Sequence, residues 1–251
     1  MNVLKRCFDF SIALALLLLS SPVLLLCALA VKLDSAGPVF FRQYRMGRNF
    51  HAFELLKLRT MEHRMSGTSV TLGADPRITC VGRILRKYKL DELPQLWNVL
   101  RGEMSLVGPR PVIPELTREF HADYERLLTV RPGLTDPATL KYYRECEILA
   151  VSADPMKHFK TVVTPDKLQL SAGYLQKASI WSDLRILAQT AKAVIPHISI
   201  QIVVTNHDVP DSIWKPFAQP AGKEYPDQLV RVHAGAADLM ACAEEEGAAG
   251  D

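Results

Sequence analysis

The sequence predicts a mixed α/β protein, mostly helical, with a membrane helix at its N-terminus. Three observations predict it. Ile12 to Val31 is a run of 20 residues without a charge, about 30 Å long as a helix and enough to enter a hydrocarbon core. Short β-prone segments follow, Val39-Phe40-Phe41 and the partly alternating Phe53, Leu55, Lys57 and Arg59. From Ile84 onward, apolar residues recur at three- and four-residue steps, the helical period. With 48% apolar content over 251 residues, the chain has material for a core and is not intrinsically disordered.

The apolar run is the first element. No small-x-small site with a polar mature start follows it, so a cleaved signal peptide is not expected. Two readings remain. Ser20-Ser21-Pro22 lies mid-run, where Pro22 removes a backbone donor and favours a bend. Basic residues flank both sides, Lys5 and Arg6 before and Lys32, Arg42, Arg45 and Arg48 after, whereas a spanning helix carries its Lys/Arg excess on one side. Those features favour a re-entrant helix, but proline also occurs in spanning helices, and the residues alone leave both open.

Gly37-Pro38 marks a turn before the first strand, and 50–61 supplies a second extended segment. Residues 62–76 are polar and turn-rich. Ile84 to Leu100 reads as helical, with a break near Lys89–Glu92 because Pro94 suits a first helical turn. That puts Asp91 and Glu92 at a helix start. Residues 105–115, with Gly108, Pro109, Pro111 and Pro114, read as a rigid loop. Leu116 to Leu128 reads as a helix stopped by Arg131-Pro132-Gly133. Leu168–Tyr174 and Ser182–Ile195 read as helices, the second with Ser182 as its cap and an apolar stripe that packs on the core or lies on a bilayer surface. Residues 205–251 are rich in Pro, Ala and Glu and are expected to be a mobile tail. No internal repeat is present.

Charge is unevenly spread. Residues 32–101 hold 13 Lys/Arg against 6 Asp/Glu, whereas 222–251 hold 2 against 7. A basic segment beside an apolar one suits anionic headgroups or phosphorylated ligands. The five cysteines are scattered without C-x-x-C spacing, which indicates a reducing, cytoplasm-facing domain rather than zinc or disulfides. His51, His63, His121 and His158 lack metal-ligand spacing. P-loop, dinucleotide and kinase signatures are absent, and no nucleic-acid partner is expected.

The chemistry-bearing block is Leu90–Pro111. Adjacent acids at a helix start often serve the helix dipole alone. Here Arg77, Arg83, Arg86, Lys87 and Arg110 crowd the same stretch. Arginine forks bind phosphate in pairs of parallel hydrogen bonds, and Mg²⁺ takes one or two carboxylates with substrate phosphate oxygens. Phosphoryl transfer at this acid pair fits the set, aspartate being one of its nucleophile types. A scaffold that binds anionic lipid through its basic face is the competing reading.

From Lys5-Arg6-Cys7-Phe8-Asp9 through Ser21-Pro22, Lys32 to Gln43, Lys57-Leu58-Arg59-Thr60-Met61, Asp75 to Thr79, Gly82 to Arg86, Leu90 to Pro111 and Arg131 to Thr135, the chain resembles the bacterial polyprenyl-phosphate hexose-1-phosphate transferases, the monotopic phosphoglycosyl transferases. The resemblance implies a re-entrant membrane helix over 1–36 broken at Ser21-Pro22. It implies a small α/β catalytic domain over 37–204, on the cytoplasmic face of the bacterial inner membrane, with short strands and interfacial amphipathic helices. It further implies a Mg²⁺-dependent, two-step transfer from a UDP-sugar to a polyprenyl phosphate, with Asp91 as nucleophile and metal ligand and Glu92 assisting through the metal or as a base. Lys57, Arg86 and Arg110 match its phosphate-binding positions, and a homodimer is compatible with it. Asp136-Pro137-Ala138-Thr139-Leu140 departs from the family's pattern after Thr135, which leaves the sugar open.

Overall fold

A computed structural model describes residues 3–62, 75–150 and 152–198. The polar segment 63–74 and the tail 205–251, with its expected mobility, lie outside the described residues. The architecture is mostly helical with a few short strands behind an N-terminal apolar helix.

Helix α1 spans Val3–Asp34, about 48 Å at the helical rise. It alone among the described residues is long and apolar enough to cross a membrane. Leu18, Leu19, Leu25 and Leu26 along its middle are exposed. The expected interruption at Ser21-Pro22 is not a gap in the helix. Pro22 cannot donate to the Leu18 carbonyl four residues back, and the Ser21 hydroxyl donates to that oxygen instead at 2.8 Å. The Ser20 hydroxyl serves Leu16 in the same way, at 2.7 Å.

Both ends of α1 are fastened to the same domain. Near its start, Arg6 donates to the carbonyls of Val99 and Leu100, while buried Asp9 accepts from the Ser105 hydroxyl and the Leu106 amide. Near its end, Val31 is buried against Leu58 and Leu85. There the Arg59 guanidinium donates to the Val31 carbonyl, one of the acceptors that a helix terminus leaves without a partner, and to the carbonyls of Ser35, Ala36 and Pro38 just beyond the helix.

Strands β1 (Phe40–Met46) and β2 (Ala52–Leu58) form an antiparallel hairpin, longer on the β1 side than the sequence suggested. Helix α2 (Cys80–Lys87) starts on Thr79, whose hydroxyl accepts from the Gly82 amide. A side chain at Gly82 would overlap the Thr60 backbone, so glycine is what lets α2 sit against the end of β2. The expected break then appears. Lys89 adopts a left-handed conformation (φ 56°), Leu90–Glu92 form a 3-10 turn, and α3 runs over Gln95–Arg101 behind Pro94.

The stretch read as a rigid loop contains a strand. β3 (Ser105–Val107) pairs in parallel with β4 (Gly133–Thr135), and three-residue strands carry too little alternation to be read from sequence. The helix expected over 116–128 is two, α4 (Pro114–Glu119) and α5 (His121–Leu127), because Phe120 leaves helical geometry (φ −116°, ψ 42°). His121 stacks on Phe50 with centroids 4.9 Å apart.

Short helices α6 (Pro137–Lys141), α7 (Glu145–Ala150) and α8 (Pro155–His158) lead through a π turn into α9 (Thr164–Gln176) and α10 (Ile180–Ile198). Ser182 is not the cap of α10. Ser179 is: its hydroxyl accepts from the Ser182 amide at 3.1 Å, while the Ser182 hydroxyl accepts from the Ser179 amide, a reciprocal capping arrangement. The core packing expected for α10 holds at Ile186, fully buried in the main apolar cluster with Phe53, Leu55, Leu96, Val99 and Leu106.

Candidate active site

The site forms where the 3-10 turn Leu90–Glu92 faces the hairpin. Asn98 of α3 sets that distance. Its side-chain oxygen accepts from the Leu56 amide, and its nitrogen donates to the Glu54 carbonyl and to Glu103. With α3 stitched to β2, the turn at its N-terminal side brings Glu92 to Lys57, whose ammonium donates to the carboxylate at 2.9 Å. Arg110 reaches Glu92 from the loop after β3 and contacts both carboxylate oxygens. Three of the five residues expected to form the site are therefore in one hydrogen-bonded cluster.

The two acids lie in opposite environments. Burial alone would raise Glu92, but Arg110, Lys57 and Lys89 outweigh it and hold its carboxyl well below the ordinary range. Asp91 is 6% exposed, and its Oδ1 is buried with no hydrogen-bond partner. Burial raises its pKa, the Glu92 charge adds to that, and Lys57, Lys89 and Arg86 offset it only partly. A carboxylate oxygen stripped of water and partners is costly.

Arg86, the fifth expected residue, donates from its Nε to the Thr60 hydroxyl at 2.8 Å and is close enough to bias Asp91. Of the other nearby cations, Arg77 grips Asp75 at 2.6 Å, and Lys87 lies over the Tyr88 ring. Sequence reasoning missed Lys89 and Tyr143. Lys89 sits 5.1 Å from the centre of the Tyr143 ring, and burial with the charges of Glu92 and Asp91 pushes the Tyr143 hydroxyl up. A lysine two residues before the acid pair, at the expected helix break, was the available signal for Lys89. Tyr143 comes from the turn between α6 and α7, far along the chain, and left none.

The segment that departs from the family pattern folds into a structural cap. Asp136 is fully buried, accepts from the Thr139 amide and hydroxyl at 2.7 Å, and accepts from Ser171 at 2.6 Å.

A family model described as bacterial sugar transferase matches residues 1–197. The chain belongs to the bacterial sugar transferase family. Among its relatives is the undecaprenyl-phosphate glucose phosphotransferase of Komagataeibacter xylinus, 41% identical over 204 residues. That alignment covers 76% of this chain and 36% of that protein, so the chain spans about a third of that relative. The UDP-glucose:undecaprenyl-phosphate glucose-1-phosphate transferase of Caulobacter vibrioides is 40% identical over 196 residues, covering 76% of this chain and 69% of that one. An uncharacterized sugar transferase of Bacillus subtilis, EpsL, is 35% identical over 205 residues, covering 82% and 93%. The family read from the motifs is the family found.

Proposed function

We propose that this sugar transferase moves a sugar-1-phosphate from a UDP-sugar to undecaprenyl phosphate through a covalent intermediate on Asp91. The observation that carries the proposal is the contrast within the acid pair, a buried Asp91 oxygen with no partner beside a Glu92 saturated by Lys57 and Arg110. An Asp91 oxygen forms a bond to the β-phosphorus, and the bridging P–O bond breaks with its electron pair leaving on UMP. The acceptor phosphate then attacks the same phosphorus and returns the carboxylate, giving the polyprenyl-diphospho-sugar. Such chemistry needs mainly positioning and charge neutralisation.

Glu92 fits an orienting role better than that of a base. Its carboxylate is committed to two cations that hold its pKa low, and a weak base accepts protons poorly near neutral pH. What it does instead is aim Lys57 and Arg110, whose remaining donors suit phosphate oxygens. The names of the relatives make UDP-glucose the first donor to try.

The residues also fit Mg²⁺. No three His, Cys, Asp or Glu side chains converge among the described residues, but the open Asp91 oxygen suits a cation that draws its other ligands from water and substrate phosphate. When bound, Mg²⁺ supplies neutralisation of the diphosphate charge.

A re-entrant helix in the inner membrane, with the catalytic domain on the cytoplasmic face, completes the reading. Its support is that Arg6 and Asp9 at one end, and Val31 to Ala36 at the other, bind one domain, while the leucines between them are exposed. A helix crossing to the far side would pull one of its ends away from that domain. Cysteines placed at Met1 and at Asp251 should both resist labelling by impermeant reagents in intact cells, and labelling at Met1 would restore the spanning topology.

Purified enzyme given UDP-glucose, Mg²⁺ and undecaprenyl phosphate should release UMP, and Asp91→Asn should abolish release in a folded protein. Ordinary turnover in that variant would end the covalent scheme.

A further inference from the structure

The hairpin carries a second cation that the acid pair does not account for. Cross-strand partners share a face, and the register pairs Arg45 with Phe53, Gln43 with Leu55 and Phe41 with Lys57. Phe53 and Leu55 are buried in the core, so Arg45 lies on the inward face that also carries Lys57. The Met46 amide donates to the Val112 carbonyl at 2.8 Å, which fixes this end of β1 beside the loop bearing Arg110.

Arg45 is poorly served there. Its terminal nitrogen donates to the Gln43 side chain at 2.6 Å, but its Nε is buried with no partner. Among the described residues it makes no ion pair. Burial and then the neighbouring Arg110 charge lower its pKa to about 10, against partial compensation from Glu92, Glu115 and Tyr124. Glu92 is already shared between Lys57 and Arg110, and Glu115 is exposed to water. A half-buried guanidinium beside another, with a buried Nε that has no acceptor, costs stability until an anion arrives.

We propose that Arg45 binds a phosphate oxyanion of a substrate or product, alongside Arg110 and at the end of the site away from Lys57. This rests on the transferase reading, in which two such groups visit the site: the phosphate of the departing UMP and the phosphate of the polyprenyl acceptor. The chemistry is shared, a planar fork of N–H donors meeting a tetrahedral oxyanion.

The test uses the full chain in detergent micelles, unsubstituted and as Arg45→Met and Arg45→Lys. Thermal midpoints are followed against UMP, inorganic phosphate and a short-chain polyprenyl monophosphate. Without ligand, Arg45→Met should melt no lower than the parent, because a half-buried charge that lacks an ion pair has gone. Its half-saturating concentration for UMP or for the polyprenyl phosphate should rise at least about tenfold, as for a lost charge-assisted hydrogen bond. Arg45→Lys keeps the charge without the fork and should fall between. A rise confined to UMP identifies the nucleotide's phosphate, and a rise confined to the lipid probe identifies the acceptor's. Unchanged half-saturation for every probe overturns the proposal, as does a lowered midpoint with the ligand response intact. Failure of the transferase reading looks different: the unsubstituted enzyme would release no UMP from any UDP-sugar.

Discussion

Among the described residues, two largely buried charge clusters differ in how completely they are satisfied. Under the start of α1, Asp9 accepts from Ser105 and the Leu106 amide, Asp183 accepts from Lys5 at 2.6 Å and from the Tyr174 hydroxyl at 2.5 Å, and Lys5 also reaches the Val107 carbonyl. Every carboxylate oxygen in that cluster has a partner. In the other cluster, Glu92 is saturated while Asp91 Oδ1 and Arg45 Nε have none. Complete satisfaction rigidifies, and the first cluster joins the apolar helix α1 to the domain. Incomplete satisfaction is a cost that folding alone does not explain, and the second cluster is where chemistry is proposed.

The contrast is broken most sharply by Asp91→Asn. Turnover should fall at least about a thousandfold, measured as UMP release. The same variant should melt higher than the parent. The folded pKa of Asp91 is raised, so at pH values above it the ionised side chain costs stability that the amide does not. Loss of turnover without a gain in midpoint would mean that Asp91 is better solvated than its burial indicates.

Asp183→Ala attacks the satisfied cluster and should do the reverse. Stranding Lys5 and the Tyr174 hydroxyl should cost about 3 kcal/mol of stability, read from denaturant melts, with turnover per folded molecule retained. A smaller step, Tyr174→Phe, removes one donor from a buried carboxylate and should cost about 1–2 kcal/mol. The smallest effect concerns pH. Because the proposed attack needs Asp91 ionised and its pKa is raised, kcat/KM should fall as pH drops through a value above the ordinary aspartate pKa of about 3.9. An acidic limb at or below that value would point to a different ionising group.

The apolar helix, the two extended segments after it, the break before Pro94 and the acid pair were legible in the sequence, because each rests on local rules: hydrocarbon length, alternation, the missing proline donor, adjacent charges. Strands β3 and β4 were not, since a three-residue strand exists only through its partner. Nor was the split of one helix at Phe120, or the transfer of the α10 cap from Ser182 to Ser179, where two serines three residues apart both satisfy the local rule.

The sequence by itself determined the family, the apolar helix and the residue types at the site, down to Asp91, Glu92, Lys57 and Arg110. The tertiary structure alone decided how charge is divided among them. Which carboxylate is clamped by two cations and which is left bare depends on Asn98 holding α3 against β2 and on Gly82 admitting α2 beside Thr60. Coulomb and desolvation energies change over a few ångströms, a distance that a string of residues does not encode.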